Sequence, residues 1–247
     1  MKNIQIFIIL IPVILFMSCG SDDGGSSNPT PATEGNISGS VNLYDTGTTQ
    51  ISGESMTITV EGTNPLKTAI TDANGEFSIS DVPFGSYTIQ YSKTGYGTFK
   101  VFNLSHTEAN GTFITQTPFL GQLSETEVVS IQVTVNAGEV AIEKSLDPSA
   151  SSNDERYIKI LFGGDDSLSD TNFVASGPTL EIRSEPSTTT FTATDLMDLG
   201  LQSGSTVYVR VYGDSFYGNS YNDPSLGSAV FPNLNTNAAD AVSFMVP

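Results

Sequence analysis

The chain has 247 residues, with nine Lys and Arg against 27 Asp and Glu, and a formal charge of −18 at pH 7. So anionic a chain is repelled by nucleic acid and by anionic lipid headgroups, which excludes both as partners. One cysteine leaves no internal disulfide and no thiolate metal site, and the length suffices for two ordinary domains.

The chain opens with one cation, Lys2, and an apolar run from Ile4 to Met17 interrupted by Gln5 and Pro12. A permanent membrane helix needs about 20 apolar residues, so this run reads as a signal peptide. Ser18-Cys19-Gly20 follows, placing small residues around the lone cysteine. The segment resembles a bacterial lipobox, although Phe16 stands where that motif usually has Leu. The resemblance implies cleavage after residue 18 and acylation of Cys19, with an ordinary secretory peptide as the alternative. Ser21-Asp22-Asp23 resembles the export tag of Bacteroidota surface lipoproteins. It implies an outer-membrane anchor facing the cell exterior, and a periplasm-facing anchor is the alternative. Residues 19–35 are almost devoid of apolar side chains and read as a disordered tether.

From Asn36 short alternating runs begin, and none shows a helical period of 3.6. Residues 37–43 and 56–60 alternate apolar with polar or glycine. Asn74-Gly75 lies between Ala69-Ile70-Thr71 and Phe77-Ser78-Ile79, which predicts a hairpin. Tyr87-Thr88-Ile89-Gln90-Tyr91 is the next strand, with Tyr87 and Ile89 facing a core. The fold class is therefore all-β, two β-sandwich domains in tandem after the leader and tether, at residues 36–122 and 123–247. The series Ile37-x-Gly39-x-Val41, Thr71 to Ile79, Val82 to Ile89 and Gly95-Tyr96 resembles the carboxypeptidase regulatory-like domain. That resemblance implies a transthyretin-like sandwich with a structural or interaction role and no catalytic residues.

In the second half, Val129, Ile131, Val133 and Val135 share one face of a predicted strand, and further strands are expected at 157–162, 180–183 and 201–212. The last of these is similar to the end of strand E and strand F in fibronectin type III and other immunoglobulin-like sandwiches. Ala193 to Leu199 reads as a short helical turn with Thr194 as its cap.

Candidate chemistry is sparse. His106, the only histidine, lies in a polar stretch that reads as a surface loop. Asp72-x-Asn74-Gly75 is a turn rather than a calcium loop, because the later ligands of an EF-hand are missing. Asp165, Asp166 and Asp170 form the densest acidic cluster. They are read as a solvated loop, then as a Ca2+ site of hard oxygen ligands, and last as glycosidase carboxylates. Asp166-Ser167-Leu168 also resembles an O-glycosylation acceptor of Bacteroidota. Phe216, Tyr217, Asn219, Tyr221 and Asn222 interleave aromatics with amides after the penultimate strand, a composition suited to a glycan or protein ligand. The alternative is that Phe216 or Tyr217 folds back over the sandwich. The sequence thus predicts a non-enzymatic, lipid-anchored envelope protein that binds or displays a ligand and needs no cofactor beyond that possible Ca2+. A spacer subunit of an envelope or pilus-like complex and a carboxylate-based glycoside-active enzyme are the alternatives.

Overall fold

A computed structural model describes residues 32–247, so the lipobox, Cys19 and most of the tether lie outside the described residues. The first ten strands are β1 (Glu34–Ser40), β2 (Asn42–Tyr44), β3 (Gln50–Ile51), β4 (Thr57–Glu61) and β5 (Lys67–Ile70), followed by β6 (Glu76–Pro83), β7 (Gly85–Ser92), β8 (Phe99–His106), β9 (Thr112–Phe113) and β10 (Phe119–Gly121). One layer runs β5-β4-β7-β8, and the facing strands run β6-β1-β9 and β10-β2-β3. Alternation turns Ile37, Leu43, Ile58, Val60, Phe77 and Ile89 into one shared core. The first strand begins at Glu34, so Glu34 and Gly35, expected in the tether, belong to the sheet.

Two expectations change here. The alternating run 37–43 is two strands split at buried Val41, whose N–H donates to Gly75 O. Asn74-Gly75 does form a tight turn, with Gly75 N–H bonded to Asp72 O and the Asp72 carboxylate accepting from the N–H groups of Asn74 and Glu76. It does not close a laddered hairpin, because β5 pairs with β4 while β6 pairs with β1. The turn carries the chain from one layer to the other. With its oxygen committed to the turn, Asp72 acts as expected of turn chemistry.

The second group comprises β11 (Glu127–Asn136), β12 (Glu139–Asp147), β13 (Arg156–Gly163), β14 (Ala175–Ile182), β15 (Ser187–Thr192), α1 (Ala193–Asp198), β16 (Thr206–Asp214), β17 (Tyr221–Asp223), β18 (Ser228–Val230) and β19 (Val242–Met245). Three strands, β11-β12-β15, face four, β14-β13-β16-β19, and the crossing from β14 to β15 gives an immunoglobulin-like sandwich. Its core gathers Val140, Ile142, Ile158, Ile160, Phe162 and Val209. A smaller cluster of Leu161, Leu168, Tyr212 and Leu234 covers the outer face of β13 and β16. Burial on both faces explains why Tyr157 to Phe162 reads as a nearly unbroken apolar run.

A bulge at Val129 corrects the expected face of β11. Val128 is buried and opposes Leu146, Val129 is 49% exposed, and only from Ile131 onward does the predicted alternation hold. The helix cap is Thr192 rather than Thr194. Its hydroxyl accepts from Asp195 N–H, and the Asp195 carboxylate accepts from Thr192 N–H, a capping box that anchors buried Leu196.

Candidate functional site

The segment from Ser215 to Ala241 links β16 to β19 and contains the β17–β18 hairpin. It reaches onto the first sandwich. Phe216 N–H donates to Thr46 O at 2.9 Å, Gly121 N–H donates to Asn219 Oδ1 at 2.9 Å, and Ser124 N–H donates to Asn233 O at 3.0 Å. The Ser215 hydroxyl donates to Gln122 O.

Two asparagines close this junction. Asn219, with φ +54°, sends its amide group to Gly97 O, Gly121 O and Asn233 Oδ1. Fully buried Asn233 accepts from Gly97 N–H and donates to Gly121 O, Gln122 O and Tyr217 O at 2.9 to 3.2 Å. The two side chains thus satisfy backbone groups that no sheet ladder reaches. The close approach also depends on Gly97, where a methyl group would overlap Pro232 O. Asn219, predicted to bind ligand, is buried and holds the sandwiches together. Asn233 carried no local signal in the sequence.

The aromatics divide between this seam and the surface. Tyr221 packs on Phe99 and Phe102 of β8 at 6.0 and 5.8 Å between ring centroids. Tyr217 lies 4.2 Å from Tyr44 and 5.8 Å from Phe119, nearly parallel to the latter at 25°. Phe216 meets Tyr157 edge-on at 5.5 Å. The result is a continuous strip Phe119–Tyr44–Tyr217–Phe216–Tyr157, drawn from both sandwiches. Two of its rings face solvent, Phe119 49% and Phe216 45% exposed, while Tyr157 at its far end is buried. The fold-back expected as the alternative therefore does occur for Tyr217, but onto the neighbouring sandwich. Beside Phe119 lies a groove of about 520 Å³ lined by Phe99, Val101, Thr115, Gln116, Thr117 and Pro118. Exposed Asn222 and half-buried Tyr221 line a smaller hollow of about 200 Å³.

The acidic cluster takes a different form. Asp165 and Asp166 are exposed on the β13–β14 loop, and Asp170 is half-buried farther along it. Asp165 turns back onto the Ser167 hydroxyl and N–H, which hold its carboxyl below the ordinary carboxylate range. Among the described residues, no three His, Cys, Asp or Glu side chains gather as a metal site. His106 corrects another expectation. It ends β8 fully buried, with Nε2 3.1 Å from Val82 O and Nδ1 2.7 Å from the Thr112 hydroxyl. Donation from Nε2 to the carbonyl leaves Nδ1 to accept from Thr112, so the imidazole ties β8 to its neighbours.

Buried Asp214, at the root of the loop, accepts from Ser215 N–H and the Thr179 hydroxyl. Desolvation outweighs these bonds and nearby Lys159, raising its carboxyl above the ordinary range. With the folded pKa above the unfolded one, its contribution is full at low pH and is lost as pH rises through the folded value. Asp214→Asn is therefore expected to melt higher than the parent at pH 7, and thermal melts should show the gap closing by pH 3.

No curated protein matches this sequence. Among solved structures, a cohesin–X-dockerin complex from Acetivibrio cellulolyticus is similar at 26% identity over 36% of this chain, with a TM-score of 0.31. The chain covers only 59% of that protein, and 56% of a second variant of it. A proposed carbohydrate-binding protein from Bacteroides uniformis aligns at 16% identity over 87% of this chain and 100% of its own, with a TM-score of 0.31. A DUF3823 family protein from Bacteroides ovatus aligns at 11% identity over the same shares, with a TM-score of 0.27. The family model for the carboxypeptidase regulatory-like domain matches residues 36–141, spanning β2 to β11 in full and entering β12. The first sandwich thus falls almost wholly within the stretch that this model matches, and an immunoglobulin-like sandwich follows it.

Proposed function

We propose that this chain is a non-catalytic envelope lipoprotein that binds a glycan through the aromatic strip at the seam of its two sandwiches. The observation that carries the reading is the pair of solvent-facing rings, Phe119 and Phe216, held at fixed spacing through Tyr44 and Tyr217. Rigid aromatic faces beside a largely apolar groove that carries the polar groups of Thr115, Gln116 and Thr117 stack on sugar rings with little ordering cost. The mature N-terminus would be acylated Cys19 in the outer membrane, facing outward. A glycan array probed with residues 20–247 should give binding that Phe119→Ala and Phe216→Ala each weaken at least tenfold. No glycan bound, or binding indifferent to both changes, would sink the reading. The anchor is tested separately. Alkyne-palmitate should label the full chain in cells and fail to label Cys19→Ala.

A spacer role is the second reading, favoured by the buried Asn219–Asn233 junction, which makes the two sandwiches one stiff body. Co-purification with a fixed envelope partner, undiminished by Phe119→Ala, would select it. The carboxylates singled out for glycoside chemistry, Asp165 and Asp166, form an exposed turn, so this proposal gives them no catalytic part.

A further inference from the structure

β11 is the longest strand at a sheet edge among the described residues, ten residues with β12 on one side only. Its start is covered. Ala239 N–H donates to Val128 O at 2.7 Å, and the bulge at Val129 bends the strand there. From Ser130 to Asn136 the ladder with β12 runs unbroken, and among the described residues no other backbone segment bonds to this stretch from its open side. Every second residue of the stretch therefore aims its N–H and C=O at solvent.

Folded proteins ordinarily guard such an edge with lysine, proline or an inward-facing charge, and none of these stands between Ser130 and Asn136. The next longest edges are guarded. β14 carries Pro178 and Glu181, while β8 carries Lys100 and lies under Tyr221, which packs on Phe99 and Phe102. The side chains of β11 also sort cleanly by face. Ile131 and Val133 pack on the core of the second sandwich yet stay half-exposed, and Val135 in line with them is 43% exposed. Ser130, Gln132, Thr134 and Asn136 lie exposed on the other face.

A strand that covers this edge must be free of charge and apolar at alternate positions. The tether is excluded, since residues 20–31 hold Asp22, Asp23, Pro29 and Pro31 and no alternating apolar run. β11 itself meets both conditions. Two chains this acidic repel one another over most of their surface, and their contact is least opposed where neither carries a charge.

We propose that the open edge of β11 is a homodimerisation surface, on which a second copy adds its own β11 antiparallel about a two-fold axis at Val133. In that register Val133 faces its counterpart, Ile131 faces Val135, Gln132 faces Thr134 and Ser130 faces Asn136. β-Branched side chains meet on the inner face, and hydroxyls and amides meet on the outer one. Two three-stranded sheets become one of six, and the isologous contact closes at two copies. One strand pair buries less than the roughly 1,000 Å² of a permanent interface, so the dimer is reversible. The surface is separate from the aromatic strip, and the glycan reading stands or falls without it.

Residues 20–247 contain no cysteine, which leaves a clean background for cross-linking. Gln132→Cys and Thr134→Cys, mixed and oxidised, should cross-link to each other, because opposed Cα atoms lie about 4.5–5.5 Å apart. Either variant alone should cross-link far less, its own counterpart being a diagonal neighbour about 7–8 Å away. In sedimentation equilibrium the mass of the parent should climb towards that of a dimer with concentration. The double variant Gln132→Lys, Thr134→Lys sets lysine against lysine and should weaken association at least tenfold. Its thermal melt, taken where both proteins are monomers, should match the parent's, and Phe119→Ala should dimerise like the parent. A parent that stays monomeric to millimolar concentration, association undiminished by the paired lysines, or cross-linking no better in the mixture than in either cysteine variant alone would each overturn the proposal.

Discussion

Asn233→Ala is expected to cost about 3–5 kcal/mol in urea denaturation, an effect in the upper range for a single substitution. The side chain makes five hydrogen bonds at full burial. Its loss leaves Gly97 N–H without a partner and takes one bond each from the Asn219 amide and from the carbonyls of Gly121, Gln122 and Tyr217, which keep their others. Each buried group left unpaired costs about 1–3 kcal/mol, offset in part by water entering the seam. The Asp variant should fare no better, because it keeps the acceptor for Gly97 but gives up all three donor bonds and buries a charge. Asn222→Ala, at an exposed position of the same loop, should leave stability unchanged. Limited proteolysis should separate the cases, with Asn233→Ala cut between residues 215 and 233 and Asn222→Ala resistant. Equal stability of Asn233→Ala and the parent would mean that the seam is not closed as described.

Gly75→Ala is expected to destabilise the first sandwich by about 3 kcal/mol or more, the sum of two effects. Its φ of +80° costs a residue with a side chain about 1–2 kcal/mol. A methyl group there would also overlap Val41 O, at the point where the run from β1 to β2 breaks. Neither neighbour can yield cheaply, since Val41 N–H is itself bonded to Gly75 O. Hydrogen exchange should show lost protection in β1, β2 and β6 before any change in β13 or β16. Gly138→Ala, also at positive φ but with open space around it, should cost only the conformational part. If the two alanines destabilise equally, the contact with Val41 carries no weight.

Much of the fold was legible because period-two alternation is a local signal. Ile37, Ile58, Phe77 and Ile89 could be placed on a core face without knowing their partners. Sheet membership was not local. Asn74-Gly75 has every mark of a hairpin turn, yet which strand β6 joins depends on β1, which opposes it from 36 or more residues away. The Val129 bulge and the pairing of Thr192 with Asp195 illustrate the smaller scale, where one residue of offset changes a face or a cap. The site was harder still. Tyr217 and Asn219 were recognisable as unusual, but amides and aromatics suit a ligand and a buried seam equally well. The partners of Asn219, Gly121 and Gly97, lie 98 and 122 positions away. The burial of Lys144 had no local signal, because nothing in Glu143-Lys144-Ser145 shows which of the three faces inward.

The seam also bears on how such a protein could have been assembled by gene shuffling. Modules joined like beads can be exchanged at the linker, because neither reads the other's surface. Here the lining of the join is encoded on both sides, by glycines upstream and amides downstream. A foreign module spliced in after residue 122 would bring neither Asn219 nor Asn233, leaving the exposed peptide groups of Gly97 and Gly121 to water. The heritable unit is the pair, and descendants should gain or lose both halves in one step.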